Sequence, residues 1–508
     1  MLHSLARNAF CLALVGMLAA CASTSQSTVL STSSPQYGQW NTGAGEANEP
    51  SGGEPPKGAM PSVQDFDYQA KYQAAFQVML WSRPAAAIYR PWAASKSQLQ
   101  IDDTTVITYD RVATPRLEAI TANSSTPYIF ALPDLRKGPV VVDVPPSGPD
   151  GSLYGQVVDA WQLTIADIGP GGKDDGKGGK YLFTPPGYQG EIPAGYIHVA
   201  SPNYRIAFAF RSIVAPGKTA QDAVNYARRL RVYHFQDANS PPPEQKFMVA
   251  DERVFSTLPY YDERAFDDIY QIFSVEPARP QDKTMMGMLA TLGIVQGQPF
   301  NPDETTKKAM RQAAIDSWYY LQYWFDHVPA DQLYWPDRHY VSLLMADKSR
   351  TFTWDYTDRI DYTARAAEYF WCTFMPHVLS DSPSTQYMMA TADNQGQPLL
   401  AGKTYKLNVP ADMPVKQFWA LTVYDRATMA FIYTPSSRTT LSSYDLDKMK
   451  KNADGSVSLY VGPKAPDGLE SNWIPTNGKR PLPAMRFYGP TQPMNEKTFK
   501  LPDFERVD

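Results

Sequence analysis

Short runs of alternating apolar and polar residues, separated by glycine and proline, recur along this chain and constrain its fold more than any other feature. The clearest run is Arg205–Ser212, where Ile206, Phe208, Phe210 and Ser212 alternate with two arginines and two alanines. Successive side chains of a strand point to opposite faces, so this run predicts a strand with one apolar face. The 44 prolines, 31 tyrosines and 11 tryptophans favour many turns and aromatic-rich strands over a helical bundle. Repeated short strands of this kind predict a β-sandwich or a barrel.

A glycine-rich stretch, Gly169–Lys180, raises the question of nucleotide binding, because the spacing from Gly171 to Lys177 almost completes a P-loop. A P-loop must lead directly into a helix whose N-terminus receives the phosphates. The residues on both sides of this stretch instead predict strands. Gly178 also occupies the position where Ser or Thr would hold magnesium, and the carboxylates of Asp174 and its neighbour would repel phosphate. We therefore interpret the stretch as a mobile hairpin loop and do not expect a nucleotide site.

Helical periodicity is confined to a few segments. In Asp65–Arg90, aromatic residues recur every three or four positions until Pro84 breaks or kinks the helix. Helical spacing resumes in Thr219–Phe235. The strongest helix signal is Asn301–Phe325, which starts with residues suited to capping. A further helix is predicted to begin near Tyr362.

The N-terminus has the features of a bacterial lipoprotein signal. Arg7 supplies positive charge, and Ala9–Ala20 is an apolar run of signal-peptide length that is too short for a comfortable membrane span. Leu18–Cys21 resembles a lipobox. This resemblance predicts removal of residues 1–20 and lipidation of the Cys21 thiol. The alternative is an ordinary secretory signal with a chance cysteine.

Residues after the predicted lipid site favour an outer-membrane anchor. Ala22 and Ser23 follow the cysteine, and in the sorting rule known for such lipoproteins the lack of Asp at the second position favours the outer membrane. Acyl chains insert with about 0.8 kcal/mol per buried methylene, so several chains give stable anchoring. Residues 21–64 are rich in Ser, Thr, Gly and Pro, which predicts a flexible tether. We expect a membrane-tethered body in the cell envelope.

Charge and cysteine content bear on other classes of function. The formal net charge is −5 with 19% charged residues, and no basic block is present, so no nucleic-acid partner is expected. With Cys11 in the signal and Cys21 lipidated, only Cys372 would remain, so no intramolecular disulfide can form. Cys372 lies in an apolar stretch that is typical of a buried, inert thiol.

Several phrases, taken in their order, resemble the paired DUF1254/DUF1214 proteins of bacteria. In the N-terminal half these phrases are TANSSTPYIFALPDLRKGPVVVDVP, VVDAWQLTIADIG, YLFTPPGYQGEIPAG and AFRSIV. LGIVQGQPF follows in the middle, and FWALTVYD, KNADGSVSLYV, ESNWIPT and MRFYGPT lie in the C-terminal half. The resemblance covers most of residues 70–508. It implies two β-sandwich domains, the C-terminal one jelly-roll-like, and implies no particular activity.

We therefore expect a mainly β chain with helical segments (α+β), in which a partly helical linker joins two β-sandwich domains. The expected bounds are 65–240 for the DUF1254-like sandwich, 241–361 for a mostly helical linker and 362–508 for the DUF1214-like jelly-roll domain. The family usually has Asn-x-Asp-Thr where this chain has Asn123–Thr126, so Ser125 replaces the usual Asp. Serine can hydrogen-bond but cannot act as a carboxylate base, so any chemistry of that Asp would be lost here.

Aromatic residues recur beside Asn, Asp and Arg in both predicted domains. Aromatic rings stack on sugars while the polar groups hydrogen-bond hydroxyls, and the same mixture suits a small polar ligand in a concave site. Each residue also has an ordinary structural interpretation, as a core aromatic, a turn residue or an ion partner. The candidate ligand-binding residues are Asn123, Thr126, Tyr128, Asp159, Trp161, Arg211, Trp419, Tyr424, Asp425, Arg438, Asn472 and Trp473.

No metal or cofactor is predicted. The histidines form neither His-x-His nor His-Glu-x-x-His, and no Gly-x-Ser-x-Gly elbow is present. The first hypothesis is a non-enzymatic, outer-membrane-tethered envelope protein that binds a glycan or another small polar ligand. The alternative is a hydrolase or isomerase with its site in the interdomain cleft. There Asp159 or Asp425 would serve as base, and Arg438 would steady an anion.

Overall fold

The structure, a computed structural model, describes residues 60–508 except 125, 215, 216, 239–241, 243, 381 and 382. Cys21, Ser125 and nearly all of the predicted tether therefore lie outside the described residues. The helices of the described part are α1 (Phe66–Trp81), α2 (Arg83–Ser97), α3 (Ala220–Ala227), α4 (Arg264–Phe273), α5 (Lys283–Thr291), α6 (Glu304–Asp326), α7 (Tyr362–Trp371) and α8 (Gln492–Asn495). The strands are β1 (Val106–Thr108), β2 (Leu117–Glu118), β3 (Tyr128–Ala131), β4 (Val140–Val144), β5 (Ser152–Val158), β6 (Thr164–Ile168), β7 (Gly179–Thr184), β8 (Tyr196–Ala200), β9 (Ala207–Ile213), β10 (Arg231–His234), β11 (Phe247–Val249), β12 (Phe255–Ser256), β13 (Tyr340–Ser342), β14 (Thr385–Ala390), β15 (Tyr405–Val409), β16 (Val415–Asp425), β17 (Thr440–Ser442), β18 (Val457–Gly462), β19 (Trp473–Pro475), β20 (Pro481–Pro490) and β21 (Glu505–Arg506).

The first β-sandwich is built from the N-terminal strands. A six-stranded sheet in the order β11-β1-β3-β9-β5-β6 shares a core with a four-stranded sheet in the order β10-β4-β7-β8. The predicted alternation is present in β9, whose Phe208 and Phe210 lie in this core with Val142 and Tyr181. Burying a phenylalanine side chain contributes about 1.5–3 kcal/mol to the stability of the fold. The phenylalanine face of β9 is therefore held in the core, and the opposite face of the strand points away from it.

The second β-sandwich is built from the C-terminal strands. A sheet in the order β13-β14-β20-β16-β17 packs on a sheet in the order β19-β18-β15-β21. Their common core contains Leu407, Leu421, Leu459 and Phe487, which come from both sheets. The predicted fold class, mainly β with helical segments and two β-sandwiches, is confirmed.

A third apolar core joins the two sandwiches. Leu132 and Val158 of the first sandwich lie in this core with Leu482 of the second. Trp371, at the end of α7, is fully buried in the same core. Because this packing is continuous, residues Ala70–Asp508 form one compact unit.

The helices have a further apolar core of their own, which includes Val78 of α1 and Phe266 of α4. Helix α6 begins after Asp303, whose side chain accepts a hydrogen bond from the Thr306 amide at 2.7 Å and caps the helix, as its sequence predicts. Pro84 lies in the first turn of α2, where its missing N–H is tolerated, and the chain divides there into α1 and α2. None of the helices in the described part has the length and apolar character required to cross a bilayer.

The prediction of a hairpin at Gly169–Lys180 is wrong. The segment connects β6 of the six-stranded sheet to β7 of the four-stranded sheet, so it crosses from one layer of the sandwich to the other. Asp174 is buried within it, and its Oδ1 accepts hydrogen bonds from the Gly169 amide at 2.8 Å and the Tyr181 hydroxyl at 2.6 Å. The acidic residue that argued against phosphate therefore anchors the loop internally.

Two other segments differ in detail from the sequence pattern. Helix α3 ends at Ala227, and the following Arg231–His234 forms strand β10, which pairs with β4. Residues 241–361 supply strands as well as helices. Phe247–Val249 pairs in parallel with β1, and Phe255–Ser256 pairs in parallel with β2.

Candidate functional site

A cavity of about 300 Å³ lies where the outer faces of the two sandwiches approach each other. The first sandwich contributes Tyr128, Tyr154 and Arg211 to its lining, from β3, β5 and β9. The second contributes Tyr387 and Arg486, from β14 and β20. Pockets for small molecules usually measure about 300–1,000 Å³, so this cavity has room for a compact metabolite.

Strand alternation orients the two arginines. In β9, Phe208 and Phe210 point into the first core. Arg211, the residue after Phe210, therefore points to the opposite face of the sheet. In β20, Phe487 points into the second core, so Arg486 likewise points away from it. Both guanidiniums are therefore carried by strands whose orientation is fixed by buried aromatic neighbours.

Tyrosines stand directly opposite both arginines on neighbouring strands. Tyr128 and Tyr154 are the register partners of Arg211, and Tyr387 is the register partner of Arg486. The guanidinium carbon of Arg211 lies 5.6 Å from the centre of the Tyr128 ring, and that of Arg486 lies 4.7 Å from the centre of the Tyr387 ring. Both distances suit cation–π attraction. We call the following group the arginine–tyrosine cluster: Arg211, Arg486, Tyr128, Tyr154, Tyr387, Tyr424 and Tyr488.

Arg486 is almost completely buried, with 1% of its surface exposed. Its Nη2 donates hydrogen bonds to the carbonyl oxygens of Thr121 at 3.1 Å and Ala122 at 3.4 Å, and to the hydroxyl of Tyr424. Its Nε is buried and has no hydrogen-bond partner among the residues that the structure describes. Burial opposes the charge, but the hydroxyls of Tyr424 and Tyr488 outweigh it and hold the pKa of Arg486 above its ordinary value. Arg486 is therefore a fixed positive charge, and its Nε is a hydrogen-bond donor that a ligand could use.

Neither arginine of the cluster has a carboxylate partner among the described residues. Burial opposes the charge of Arg211 as well, but Tyr387, Tyr128 and Tyr154 outweigh it, and the pKa of Arg211 lies well above its ordinary value. Buried charges in proteins are normally paired with an opposite charge. This cavity therefore carries two positive charges that only phenol groups partly compensate.

Tyr387 responds to both arginines. Burial alone would raise the pKa of its hydroxyl, but the charges of Arg211 and Arg486 outweigh burial and lower the pKa of Tyr387 to about 8. The Thr385 hydroxyl contributes in the same direction through a hydrogen bond. At mildly alkaline pH the side chain is thus available in both its phenol and its phenolate form.

Asn123 connects the tyrosines of the two sandwiches. Its backbone amide donates to the Tyr128 hydroxyl at 2.8 Å, and its Nδ2 donates to the Tyr488 hydroxyl at 3.1 Å. The Tyr488 ring in turn stacks on Phe418, with ring centres 4.0 Å apart. These contacts hold the rings of the cluster in place on both sides of the cavity.

The rest of the cavity is mostly apolar. Its described lining includes no Asp, Glu, His or Lys. The site can therefore hold a molecule with an anionic group at the arginines and an apolar body against the aliphatic and aromatic wall. Prominent members of that wall are Leu117, Ile120, Phe130, Leu132, Leu343 and Phe374.

Four of the residues predicted from the sequence lie in or beside the cluster: Asn123, Tyr128, Arg211 and Tyr424. Tyr424 is fully buried, and its hydroxyl donates to the Ala122 carbonyl at 2.6 Å.

Asp159 and Trp161 do not line the cavity. Asp159 is buried, and its Oδ1 accepts hydrogen bonds from the amides of Trp161 at 2.8 Å and Leu163 at 2.9 Å. Burial raises the pKa of Asp159 to about 6, although these amides act in the opposite direction. Trp161 packs edge-on against Trp81, with ring centres 5.0 Å apart. Both residues hold the turn between β5 and β6 against the helices.

Three predicted residues of the second sandwich hold loops together. The Nη1 of Arg438 donates to the carbonyl oxygens of Glu470 at 2.5 Å and Trp473 at 3.1 Å. Asn472 is fully buried, and its Oδ1 accepts from the Lys450 amide at 2.9 Å. The Nε1 of Trp473 donates to a backbone carbonyl of β18 at 2.9 Å. Their polar groups serve the backbone, and none lies on the cavity wall.

The remaining predicted residues also lie off the described cavity wall. Trp419 belongs to the core of the second sandwich. Asp425 accepts a hydrogen bond from the Ala427 amide at 3.0 Å, and its Oδ2 lies 3.5 Å from Lys479 Nζ. Thr126 is partly buried, and its Oγ1 has no hydrogen-bond partner in the described part of the chain.

Sequence reasoning missed Arg486, Tyr387, Tyr154 and Tyr488. A signal for two of them exists in MRFYGP, where Arg486 and Tyr488 alternate with apolar residues just as Arg211 alternates with phenylalanines. The predicted buried thiol is confirmed: Cys372 is 5% exposed, and burial together with Glu368 raises its pKa well above its ordinary value.

Comparison with known protein families matches both halves of the chain. The family described as "Protein of unknown function (DUF1254)" matches residues 104–234, and "Protein of unknown function (DUF1214)" matches residues 384–492. The chain is a DUF1254/DUF1214 domain-containing protein. Arg211 lies in the DUF1254 match and Arg486 in the DUF1214 match, so each domain supplies one arginine to the cavity.

One solved structure resembles the DUF1254/DUF1214 chain in fold, and a second gives a weaker match. The crystal structure of the VPA0106 protein from Vibrio parahaemolyticus matches with a TM-score of 0.50 and 16% identity, over 86% of this chain and 100% of that one. An uncharacterised protein from Burkholderia cenocepacia matches with a TM-score of 0.37 and 14% identity, over 87% and 96% of the two chains. At this identity the first likeness supports the fold alone. Among proteins with curated descriptions, none matches the sequence significantly.

Proposed function

We propose that this protein is an outer-membrane lipoprotein that binds a small organic anion with an apolar body in the cavity between its two sandwiches. One observation carries the ligand class: Arg211 and Arg486 both line the cavity, and neither has a carboxylate partner in the described residues. An anionic ligand would supply the missing negative charge. Charge-assisted hydrogen bonds to guanidinium are strong and often bidentate, which suits a carboxylate or a phosphate.

The cavity lining favours such an anion over a neutral glycan. Sugar hydroxyls need several acceptors as well as donors, and carboxylates usually provide the acceptors. The described lining offers Gln156 but no Asp or Glu, and its larger part is aliphatic or aromatic. The ligand class predicted from sequence, a glycan or another small polar molecule, is therefore narrowed to a small anion with an apolar portion.

The carboxylate-based enzyme remains the alternative, but the cavity geometry gives it no support. Its proposed bases, Asp159 and Asp425, both accept hydrogen bonds from nearby backbone amides. Neither lines the cavity.

The anchor is proposed from the sequence of the N-terminus. Leu18–Cys21 supplies the lipobox pattern, and residues 22 and 23 favour the outer membrane. Mass spectrometry of the N-terminal fragment from native membranes should find acyl chains on Cys21, and Cys21→Ser should release the protein into the soluble fraction. An unmodified Cys21 thiol would refute the anchor without touching the ligand site.

Isothermal titration with a matched pair of probes tests the ligand class. 3-Phenylpropionate should bind, and 3-phenylpropanol, which has the same body without the charge, should bind at least about tenfold more weakly, a difference of about 1.4 kcal/mol. Arg211→Gln should reduce this preference, because it removes one of the two charges while Arg486 and its contacts remain. Arg438→Gln, which alters a partly exposed arginine outside the cavity, should keep it. Equal affinity of the wild-type protein for acid and alcohol would overturn the proposal.

A further inference from the structure

Resting on the anion site proposed above, we propose that the cavity is also catalytic. In it, Tyr387 would abstract a proton from carbon 3 of a 2-oxo acid that bears an apolar substituent. Arg211 and Arg486 would hold the carboxylate and the 2-oxo oxygen. This assigns a base and a substrate class to the cavity.

The choice of Tyr387 follows from the other groups in the cavity. Among the described lining residues there is no Asp, Glu, His or Lys, so the ionisable side chains of this described lining are tyrosines, arginines and Cys372. Burial raises the pKa of Cys372 and of Tyr154, which makes both poor bases near neutral pH. The charges of Arg211 and Arg486 act on both Cys372 and Tyr387; burial prevails at Cys372, whereas at Tyr387 the two charges outweigh burial and lower the pKa to about 8. A general base works best when its pKa lies near the operating pH.

The choice of a 2-oxo acid follows from the number of donors. A single carboxylate can be satisfied by one guanidinium through two parallel hydrogen bonds. This cavity offers two guanidiniums, and the buried Nε of Arg486 has no partner in the described part of the chain. A 2-oxo acid presents a carboxylate and an adjacent carbonyl oxygen, so it can occupy both. The hydrogens on its carbon 3 are made acidic by the same carbonyl.

The proposed step balances without any further reactant. The bond between carbon 3 and hydrogen breaks, and a bond forms between that hydrogen and the Tyr387 oxygen. The electron pair moves into a double bond between carbons 2 and 3, and the carbonyl oxygen becomes an enolate. The guanidiniums stabilise this developing negative charge. Such electrostatic stabilisation is usually the largest single contribution to enzymatic catalysis. The proton on the Tyr387 oxygen exchanges with solvent, and Tyr387 then returns a solvent-derived proton to carbon 3, which completes hydrogen exchange, or to the enolate oxygen, which yields the enol.

Hydrogen exchange of phenylpyruvate in deuterium oxide tests this step. Proton NMR would follow the loss of the carbon-3 methylene signal with the full-length protein and in buffer alone. The wild-type protein should accelerate the exchange, and Tyr387→Phe should lose about 10²–10⁴-fold of that acceleration, the usual contribution of a general base. Tyr444→Phe, which changes a tyrosine that is 70% exposed and outside the described cavity lining, should exchange like the wild type.

Binding of 3-phenylpropionate, measured in parallel, separates the two proposals. If this acid binds but phenylpyruvate exchanges no faster than in buffer, the catalytic proposal fails and the anion site stands. If 3-phenylpropionate does not bind, both fail. Exchange by Tyr387→Phe at the wild-type rate would remove Tyr387 from the mechanism. If that variant does not fold, the exchange rate of the wild-type protein at saturating phenylpyruvate provides the test. This rate should rise between pH 7 and pH 9, and a flat profile would overturn the role of Tyr387.

Discussion

Tyr387 and Arg486 stand directly opposite each other on β14 and β20, with the guanidinium carbon 4.7 Å from the centre of the tyrosine ring. The same guanidinium reaches across to the carbonyl oxygens of Thr121 and Ala122, which precede β3 of the other sandwich. Arg486 therefore has two roles that can be separated experimentally. It supplies charge to the cavity, and it binds the backbone of one domain to the sheet of the other.

Replacing Arg486 with methionine tests the second role. The variant Arg486→Met keeps much of the volume but removes the donor of the Thr121 carbonyl and of the Tyr424 hydroxyl, while the Ala122 carbonyl keeps its hydrogen bond from Tyr424. Each buried group left unsatisfied costs about 1–3 kcal/mol, so the loss of two such bonds should lower the free energy of unfolding by about 2 kcal/mol or more. Denaturant titration measures this loss. The control is Arg438→Met, which removes hydrogen bonds that are exposed or only partly buried and should change stability by less than about 1 kcal/mol. Equal losses for the two variants would contradict the bridging role of Arg486.

Ionisation of Tyr387 should be visible by ultraviolet absorbance. The difference between wild-type and Tyr387→Phe titrations should show one phenolate that appears near pH 8, because Arg211 and Arg486 favour the charged form. The unfolded-state pKa of tyrosine is about 10, so the folded-state value is depressed. Its contribution to stability is therefore complete above about pH 10 and is lost as the pH falls through about 8. A wild-type chain without a phenolate below pH 9 would contradict this arrangement.

The same ionisation should weaken anion binding. Above about pH 8 the Tyr387 phenolate becomes an internal partner of the two arginines and competes with an added carboxylate. The charged groups facing Tyr387 are Arg211 and Arg486; the neighbouring Tyr488 acts on both arginines, and Tyr154 acts on Arg211. The affinity for 3-phenylpropionate should therefore fall between pH 7 and pH 9 in the wild type and stay nearly constant in Tyr387→Phe. Calorimetry at the two pH values distinguishes these outcomes.

Asp159 offers a test of a buried carboxylate outside the cavity. Its pKa is raised to about 6 by burial, so the fold favours its neutral form and gains stability as the pH falls through about 6 towards the ordinary value. Asp159→Asn keeps an oxygen acceptor for the amides of Trp161 and Leu163 without the charge. It should be more stable than the wild type at pH 8 by about 1–3 kcal/mol and nearly equal to it at pH 5. Asp159→Ala loses the acceptor and should be less stable at both pH values. An Asp159→Asn variant with a lower free energy of unfolding than the wild type at pH 8 would refute this account.

Two glycines of the Gly169–Lys180 loop, which connects the two sheets of the first sandwich, form a matched pair for mutation. Gly169 has a φ of +90°, and a Cβ there would lie 2.0 Å from the Leu153 carbonyl oxygen. Gly169→Ala should therefore lower the free energy of unfolding by about 2–4 kcal/mol, since it combines backbone strain with an overlap. Gly171 has open space around its missing side chain, and Gly171→Ala should stay within about 0.5 kcal/mol of the wild type. Thermal unfolding of both variants measures the difference, and similar losses would contradict a structured loop.

Local pattern was sufficient for the strands and for part of the site. The alternation around Phe208 and Phe210 predicted the buried face of β9, and the same alternation placed Arg211 on the other face. It could not reveal that Arg486, far along the chain, would lie at the same cavity, because strand periodicity says nothing about which sheet covers an outer face. Asp159 and Asn472 illustrate the opposite error. Their polar groups resembled a ligand site in sequence, but they satisfy nearby backbone groups, a competition that residue type alone does not resolve.

The apolar core between the sandwiches has a consequence for how such a chain can be inherited. Leu132 and Val158 on one side, and Leu482 on the other, are covered only while both halves are present. A gene trimmed to either half would encode a fragment with a water-exposed apolar flank, which invites aggregation. Recombination could therefore transfer the two halves only together. A substitution on one side of the apolar core between the sandwiches would select for a compensating substitution on the other side.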